Sequence, residues 1–464
     1  MKKKIQHLLF SNFSVKVTSL IFTMFIGRLY GASFLGSIVL YLSILSMGLI
    51  VAKVGLFFSL EKKASEHKSE IGKLTSSTFF INLFFLTLTI IMMVLFRNQL
   101  GDYLGIDNFL FYLISSLIMG NFINFNYALI KAKTDFVIFS KLQLNRELIF
   151  RALAILFLLV DGSASITLVL LAKLIAEGMS FIMSFKYVIR YNIQLKAPEI
   201  SYIKELLVLA RYNSVLEIRA LTFSWMDVWM IGFFLNEHFV GIYQIAWQIS
   251  STLLIVSKAV ITVNFPHISK WASQNHYEKI ESATNNALFL SLLIPIPAFI
   301  GSFLVAHDVL RIFGDEFVEG HLVLIILLSC SILRALQELL SKLLVGIGMA
   351  KVSYYSSIIA GLCNVMFNYF LIQKMGLEGA ALATTVSTGI NFIYCLYYLK
   401  RKTNMGFNWN KTLINLVASL LMLISIYIVD TLLHVTNSYI LIAIGGAVWG
   451  IIIYYGQFKK GWRT

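Results

Sequence analysis

Two stretches of this chain, 205 positions apart, carry the same pattern of residues. Residues 26–53 read IGRLYGASFLGSIVLYLSILSMGLIVAK, and residues 231–258 read IGFFLNEHFVGIYQIAWQISSTLLIVSK. Without a gap, Gly27, Gly36 and Lys53 of the first stretch each fall on an identical residue of the second. Apolar matches between hydrophobic segments arise easily by chance, whereas paired Gly and Lys residues do not. The alignment therefore indicates an internal repeat.

The repeat continues, more weakly, along most of the chain. Residues 132–133 resemble residues 350–351, and the offset drifts as changes in loop length would allow. We expect two pseudo-symmetric six-helix lobes in the same orientation, because six crossings return the chain to its starting side of the membrane. The predicted divisions are an N-terminal lobe (1–190), a cytoplasmic inter-lobe linker (191–211), a C-terminal lobe (212–400) and two appended helices (401–464).

The composition places the chain in a membrane. Apolar residues fill 58% of the 464 positions, charged residues fill 13%, and the mean hydropathy is +0.80. Soluble domains are about 45–50% apolar and about 25% charged. Segments that cross lipid must be helices of about 20 apolar residues, because lipid cannot satisfy an open backbone. We predict an all-α integral membrane protein whose roughly 14 spans lie near 8–30, 34–60, 76–96, 108–130, 141–160, 165–189, 212–235, 239–265, 285–306, 321–345, 352–373, 378–399, 412–432 and 438–457.

The net charge of +15 is explained by membrane topology. With the N-terminus placed inside, 26 of the 38 Lys and Arg residues fall in inside segments, three in outside segments and nine within spans. Cytoplasmic loops of membrane proteins carry this excess of Lys and Arg, so both termini are predicted to be cytoplasmic. No RNA- or DNA-reading motif accompanies the charge, which argues against a nucleic-acid partner. The apolar run 8–30 is too long for a signal peptide, so we expect it to be retained as the first span.

Sequence motifs of enzymatic chemistry are absent. The sequence has no phosphate-cradling Gly-x-x-x-x-Gly-Lys-Ser/Thr loop, no His-Glu-x-x-His and no Gly-x-Ser-x-Gly. The cysteines Cys330, Cys363 and Cys395 lie in apolar runs without ligand spacing, and we interpret them as core residues. We therefore expect no catalytic residue, no metal and no cofactor, and we predict that the chain is not an enzyme.

Several short segments resemble, in order, those of polysaccharide flippases. They are 27–31 (GRLYG), 227–232 (DVWMIG), 240–243 (VGIY), 313–314 (FG), 348–351 (GMAK) and 376–383 (GLEGAALA). The ordered set is similar to the oligosaccharide-flippase branch of the multidrug/oligosaccharidyl-lipid/polysaccharide exporter superfamily, which includes O-antigen flippases. This resemblance covers about residues 10–400. It implies a MATE-like arrangement of the two lobes.

The resemblance also implies a function. Members of the branch move polyprenyl-pyrophosphate-linked oligosaccharides outward, so we expect translocation of an O-antigen or other surface polysaccharide repeat unit from the cytoplasmic to the outer leaflet by alternating access. The expected partners are the lipid-linked oligosaccharide, membrane lipids, a polysaccharide polymerase and a chain-length protein. The expected location is the cell inner (plasma) membrane. Because one chain supplies both lobes, we expect it to work as a monomer.

Three alternatives stay open at this stage. A drug or cation antiporter of the same superfamily would need more cavity carboxylates and fewer bases than the spans contain. A membrane-embedded polysaccharide polymerase typically has a sizeable outer loop, whereas the most charged outer segment here, 307–319, is only 13 residues long. A structural scaffold of a glycan-assembly complex is disfavoured by the internal repeat and by the charges within the spans.

Basic residues within the spans are the candidate substrate-binding groups. A Lys or Arg at the centre of a span costs roughly 2.5–3.5 kcal/mol, so the nine such residues must snorkel, pair or face a wet cavity. Lys53 and Lys258 occupy matched positions of the repeat. Two ammonium groups at matched heights beside one cavity would hold the pyrophosphate that the resemblance implies. The alternative for both residues is snorkelling to the cytoplasmic surface.

Three arginines complete the predicted cavity. Arg28 ends the first span, and its alternative role is an anchor at the membrane boundary. Arg151 lies nearer mid-span, with Glu147 one turn before it, and its alternative role is a structural ion pair. Arg219 lies in the seventh span, two turns before the acidic residue Asp227.

Two acidic residues are the candidates for ion coupling or gating. Asp227 lies well inside the seventh span without a basic residue three or four positions away, and carboxylates at such depth are functional candidates by default. Its alternative role is an inter-helix structural bond. Glu177 of the sixth span follows Lys173 by four residues, a spacing that also suits a structural pair.

Overall fold

The computed structural model describes residues 2–66, 70–403, 405–433 and 438–458. Within these ranges every regular element is a helix. The α-helices are α1 (Lys2–Lys53), α2 (Leu56–Glu66), α3 (Ile71–Leu95), α4 (Arg97–Leu104), α5 (Phe109–Ala132), α6 (Phe136–Asp161), α7 (Ile166–Arg190), α8 (Ile200–Phe234), α9 (Glu237–Thr252), α10 (Ile255–Ser273), α11 (Tyr277–Leu292), α12 (Pro295–Arg311), α13 (His321–Gly346), α14 (Ala350–Lys402), α15 (Asn410–Leu433) and α16 (Ser438–Ile453). A 3₁₀ turn covers Asp315–Gly320, and a π turn covers Tyr454–Phe458.

Each predicted span falls on one of these helices or on two helices joined across a break of two residues. Eight helical segments of the described ranges are long and apolar enough to cross a membrane, and the pair α9–α10, bent by 43°, makes a ninth. With 52 and 53 residues, α1 and α14 are each long enough for two crossings at 1.5 Å per residue. The other predicted spans coincide with the charge-rich α6 and with the shorter apolar stretches Trp225–Phe234 and Ile440–Gly456. The predicted all-α membrane fold is confirmed.

Glycine breaks divide the two longest helices into hairpins. In α1 the break is at Gly31 (φ 82°, ψ 179°), between the first and second predicted spans. In α14 it is at Gly376 (φ 59°, ψ −131°), between the eleventh and twelfth. These dihedral angles are accessible to glycine at little cost because it has no Cβ. The first hairpin ends at Lys53, where Val54 takes a positive φ of 42° before α2 begins.

Contacts divide the chain into two compact units, one ending at Gly241 and the other beginning at Ile242. A core of the first unit forms where α2, α3, α5 and α8 meet, around Leu56, Leu74 and Leu206. A core of the second unit lies among α10, α11, α12 and α13, around Ile261, Leu288 and Leu339. The lobe boundaries derived from the repeat stay a prediction.

Many large apolar side chains point outward from the helices. Phe84 and Leu95 on α3, Val160 on α6 and Leu362 on α14 are all exposed. Soluble proteins rarely expose large contiguous apolar surfaces, whereas lipid-facing helices do so throughout the hydrocarbon layer. The pattern is that of a multi-pass membrane protein.

The paired glycines of the repeat lie at one close helix contact inside the first unit. A Cβ atom at Gly36 would lie 1.7 Å from the carbonyl oxygen of Glu237. A Cβ atom at Gly241 would lie 2.1 Å from the carbonyl oxygen of Ala32. Small residues let helix backbones approach closely in membranes, where packing drives helix association. The repeat therefore keeps glycine at these two positions for a physical reason.

We expect Gly36→Ala to destabilise the protein by about 1–3 kcal/mol. The added methyl group would clash with the backbone carbonyl of Glu237, which cannot move aside as a side chain could. The check is the midpoint of thermal unfolding in detergent. Gly178→Ala is the matched control, since Gly178 also lies within a helix but has nothing within 4 Å of its Cβ position. A Gly36→Ala protein that unfolds at the temperature of the wild type would contradict this packing argument.

Candidate functional site: a basic cavity in the first unit

A cavity of about 220 Å³ lies among helices of the first unit, and five of its lining residues are charged. The lining residues are Lys53, Phe57, Phe58, Glu61, Asn124, Tyr127, Lys131, Phe139, Gln143, Arg146 and Glu217. The charged groups come from the end of α1, from α2, from the last turn of α5, from α6 and from α8. Three bases and two carboxylates leave the lining with an excess of positive charge.

Lys53 lies where α1 ends and the backbone turns into α2. Its Nζ is 3.5 Å from Glu217 Oε1 on α8, and both side chains are about a quarter exposed (22% and 25%). The second carboxylate oxygen of Glu217 is buried and has no hydrogen-bond partner among the described residues. The ion pair thus links α1 and α8 across the cavity, but it leaves Glu217 Oε2 without a hydrogen-bond donor among the described residues.

Lys131 pairs directly with Glu61 across the cavity. Its ammonium group also lies 5.1 Å from the centre of the Phe139 ring, within cation–π distance. Burial raises the pKa of the Glu61 carboxyl above its ordinary value, although the Lys131 ammonium acts in the opposite direction. The carboxylate therefore depends on Lys131 for its charge compensation.

Arg146 enters the cavity from α6. Its Nη2 is 3.3 Å from Glu147 Oε1, and its guanidinium carbon is 6.0 Å from the centre of the Tyr127 ring. The buried Nε has no hydrogen-bond partner among the described residues. The guanidinium therefore keeps one donor that the described residues leave unsatisfied.

Glu147 connects Arg146 to a second arginine behind the cavity. Arg151 Nη2 is 3.1 Å from Glu147 Oε2. Arg151 Nη1 donates to the carbonyl oxygen of Val15 at 2.9 Å and to the hydroxyl of Thr18, both on α1. Arg151 is buried and absent from the cavity lining. It ties α6 to α1, and Glu147 bridges both arginines.

A second buried pair lies on α7. Lys173 Nζ is 3.2 Å from Glu177 Oε1, and only 2% of the Glu177 side chain is exposed. Lys173 also lies 5.1 Å from the centre of the Phe150 ring on α6. The second oxygen of Glu177 has no hydrogen-bond partner among the described residues. The predicted i,i+4 pairs at Glu147–Arg151 and Lys173–Glu177 both form.

The other predicted site residues are placed differently. Arg28 is exposed near the end of the first span, and Lys258 is exposed on α10 of the second unit. Asp227 is buried on α8 and is engaged in interactions, so it is not a free carboxylate. The Arg219 side chain lies outside the described part of the structure. Among the predicted cavity bases whose side chains are described, only Lys53 lines the cavity of the first unit.

Four charged lining residues were not predicted as site residues from the sequence. Lys131 and Arg146 are among the Lys and Arg residues of the inside segments, from which the membrane topology is predicted. Glu61 and Glu217 lie at the cytoplasmic ends of predicted spans. One signal pointed to Arg146. The fifth predicted span begins with an unusual density of charge, including Lys141, Arg146 and Glu147, which a lipid-facing helix would not tolerate.

The second unit contains a cavity of the opposite character. Its volume is about 380 Å³, and its lining residues are Ile249, Leu253, Ile294, Pro297, Ala298, Gly301, Ser302, Val305, Ala306, Val309, Leu324, Leu328, Met422, Ile426, Ile442, Gly446 and Trp449. The lining comes from α9, α12, α13 and the two last helices, α15 and α16. Only Ser302 and the indole of Trp449 are polar, so the cavity suits a hydrocarbon ligand.

These features define an integral membrane protein of MATE-like fold. The fold is similar to that of lipid II flippase MurJ in an inward closed conformation, with a TM-score of 0.81 and 18% identity, covering 97% of this chain and 99% of that one. It is also similar to a multidrug resistance MATE family transporter in an inward-facing conformation, with a TM-score of 0.68 and 14% identity, covering 84% of this chain and 95% of the other.

The sequence carries the identification further. Residues 25–320 match the polysaccharide biosynthesis protein family. The chain is 30% identical to the probable low-salt glycan biosynthesis flippase Agl15 of Haloferax volcanii, over 93% of this chain and 89% of that protein. It is 27% identical to lipid II flippase MurJ of Bacillus subtilis, over 42% and 39% of the two chains. This chain belongs to the polysaccharide biosynthesis protein family, as its motifs indicated, and it is a transporter rather than an enzyme.

Proposed function

We propose that this protein translocates a polyprenyl-pyrophosphate-linked oligosaccharide, the repeat unit of an O-antigen or another surface polysaccharide, from the cytoplasmic to the outer leaflet by alternating access. The observation that carries the proposal is the convergence of Lys53, Lys131 and Arg146 on one cavity. The full-length similarity to a probable glycan flippase supports it.

A diphosphate fits the chemistry of this cavity. Hydrogen bonds between ionised partners are about twice as strong as neutral ones, and an arginine fork matches two phosphate oxygens at once. Lys53 and Lys131 are each paired with a carboxylate, Glu217 and Glu61. When a diphosphate enters, its oxygens replace the carboxylates as partners of the two lysines. Each lysine therefore has a negatively charged partner in both the empty and the loaded protein.

The apolar cavity of the second unit suits a hydrocarbon chain. A polyprenyl chain is a hydrocarbon, and the cavity lining around Leu328, Met422 and Ile426 offers it almost no polar atoms. We propose that the apolar cavity of the second unit is a binding site for a polyprenyl chain.

The charge distribution supports the orientation that we propose. Lys53 and Lys131 lie at helix ends that the excess of Lys and Arg assigns to the cytoplasm. Substrate therefore enters from the cytoplasmic leaflet of the inner (plasma) membrane, and both termini are cytoplasmic. Asp227 and Glu177 are the proposed coupling or gating groups, and Arg28, Arg151, Arg219 and Lys258 are proposed to contact substrate in other states of the cycle. The working unit is a monomer, and a polymerase and a chain-length protein act on its product.

The proposal is tested in cells that lack this protein. Lipid-linked oligosaccharide is quantified on the inner leaflet, with and without the gene restored. Accumulation that the wild-type protein relieves supports the flippase. Normal translocation with lost polymerisation would identify a polymerase instead, and normal translocation with altered drug tolerance would identify an antiporter.

In the same cells we expect the double variant Lys53→Ala with Lys258→Ala to transport less than either single variant. The two ammonium groups occupy matched positions of the repeat, and each would contribute a charge-assisted contact worth about tenfold in rate. Outward transport per unit of protein is the measurement, and Lys133→Ala, an exposed base elsewhere, is the control. Unchanged activity in the double variant would remove both lysines from the site.

A further inference from the structure

The first turns of α8 have two different faces. One face carries Ile203, Leu206 and Ala210, and it packs on the core of the first unit, where Leu206 is 0% exposed. The opposite face carries Ile200, Lys204, Leu207, Val208, Arg211 and Tyr212, all of them exposed. These positions repeat at the three- and four-residue spacing that places side chains on one side of a helix. Three of the exposed residues are aliphatic and two are basic.

The acidic residues of this segment are both engaged in ion pairs. In residues 191–212 the only acids are Glu199 and Glu205. Glu199 Oε2 is 2.9 Å from Lys73 Nζ on α3, and Glu205 Oε2 is 2.9 Å from Lys63 Nζ on α2. The two carboxylates therefore fasten the segment to the first unit and compensate bases that belong to that unit.

The bases of the same segment have no such compensation. Among the described residues, no carboxylate lies within ion-pair distance of Lys196, Lys204 or Arg211. Arg211 lies over the Tyr212 ring, 4.9 Å from its centre, and donates to the Tyr212 hydroxyl at 3.0 Å. The open face thus combines uncompensated positive charge with aliphatic and aromatic surface, and the two nearby carboxylates are each paired with a lysine of α2 or α3.

Length places this face at the membrane boundary. The helix continues without a break from Ile200 to Phe234, and about 20 residues at its C-terminal end span the hydrocarbon. At 1.5 Å per residue, Arg211 and Tyr212 lie within about 6 Å of the hydrocarbon edge, and Leu207 and Val208 lie within about 12 Å of it. At the membrane–water interface, Arg, Lys and Tyr side chains direct their polar ends to the lipid headgroups and bury their apolar parts.

We propose that the exposed face of α8 from Ile200 to Tyr212 binds anionic phospholipid headgroups of the cytoplasmic leaflet. Arg211 contacts the lipid phosphates beside Tyr212, and the long side chain of Lys204 attracts the same headgroups from the aqueous side. Neutral lipid satisfies the aliphatic surface equally well, so the two bases supply the preference for an anionic headgroup.

The test uses the full-length protein in detergent micelles that contain equal amounts of phosphatidylglycerol and phosphatidylcholine. Native mass spectrometry counts the lipids that stay bound. We expect the wild type to retain phosphatidylglycerol preferentially, and Lys204→Gln with Arg211→Gln to lose about tenfold of that preference, since each base near an anionic surface contributes several-fold. The preference of the wild type also falls with added salt, because exposed charges are screened.

The matched control is Lys133→Gln with Lys351→Gln, which removes two exposed bases, one after α5 and one in the first turn of α14. We expect this control to keep the wild-type preference. Loss of the preference in the control alone, or an unchanged preference in Lys204→Gln with Arg211→Gln, overturns the proposal. Conversion of a dimer to a monomer by the α8 variant would show that a second copy of the chain covers the face, and would also overturn it. An unchanged thermal unfolding midpoint confirms that both variants are folded.

Discussion

Replacing Arg146 by alanine is expected to lower outward transport of the lipid-linked oligosaccharide by about 100-fold. Hydrogen bonds to charged groups contribute about 1.5–3 kcal/mol each, and about 1.4 kcal/mol corresponds to a factor of ten. Arg146 is the cavity base with an unpartnered N–H among the described residues, its Nε. An arginine fork gives two parallel bonds to one phosphate, so its removal costs more than the removal of a lysine.

The measurement is transport per unit of protein in cells that lack the native gene. Lys141→Ala is the control, because Lys141 lies on the same helix, is exposed and is absent from the cavity lining. Arg146→Lys should fall between the wild type and Arg146→Ala, since an ammonium keeps the charge but not the fork. Arg146→Ala activity within twofold of the wild type would exclude Arg146 from the substrate site.

The fold could be predicted from the sequence because only a few kinds of structure can span a lipid bilayer. Segments that cross lipid must be helices, and their apolar runs mark the spans. The repeat places Gly36 and Gly241 at matched positions. The structure gives those glycines a common cause, since a Cβ atom at Gly36 or Gly241 would lie only 1.7 Å or 2.1 Å from a backbone carbonyl oxygen. The hairpin breaks at Gly31 and Gly376 lie between predicted spans for a similarly local reason, the positive φ.

The site was less accessible, because a span boundary does not tell which way a side chain points. Lys131 lies in the last turn of α5, where a base usually faces the cytoplasm, yet it turns inward to Glu61. Arg151 was predicted to line the cavity, and it points instead to the backbone and hydroxyl of α1. Both outcomes depend on a neighbouring helix that is distant in sequence, and no local pattern records that neighbour.

Glu147→Gln is expected to destabilise the protein by about 3–5 kcal/mol. Glu147 accepts from Arg146 at 3.3 Å and from Arg151 at 3.1 Å, and both arginines are largely shielded from solvent. Removing one member of a buried ionic cluster leaves uncompensated charge, which costs more than the cluster itself contributed. The measurement is the free energy of unfolding in detergent, obtained from a denaturant titration. Glu66→Gln is the control, because Glu66 is paired only at the exposed end of α2.

A second substitution separates charge imbalance from a loss of shape. In the double variant Glu147→Gln with Arg151→Met, one of the two orphaned charges is gone and an apolar chain of similar length fills its place, so about half of the lost stability should return. A double variant that is no more stable than Glu147→Gln would mean that Arg151 holds α1 through Val15 and Thr18 alone. The same protein also decides the role of Arg151. If it transports substrate at the wild-type rate once stability is restored, Arg151 is a structural tie between α6 and α1, and the diphosphate is held by Lys53, Lys131 and Arg146.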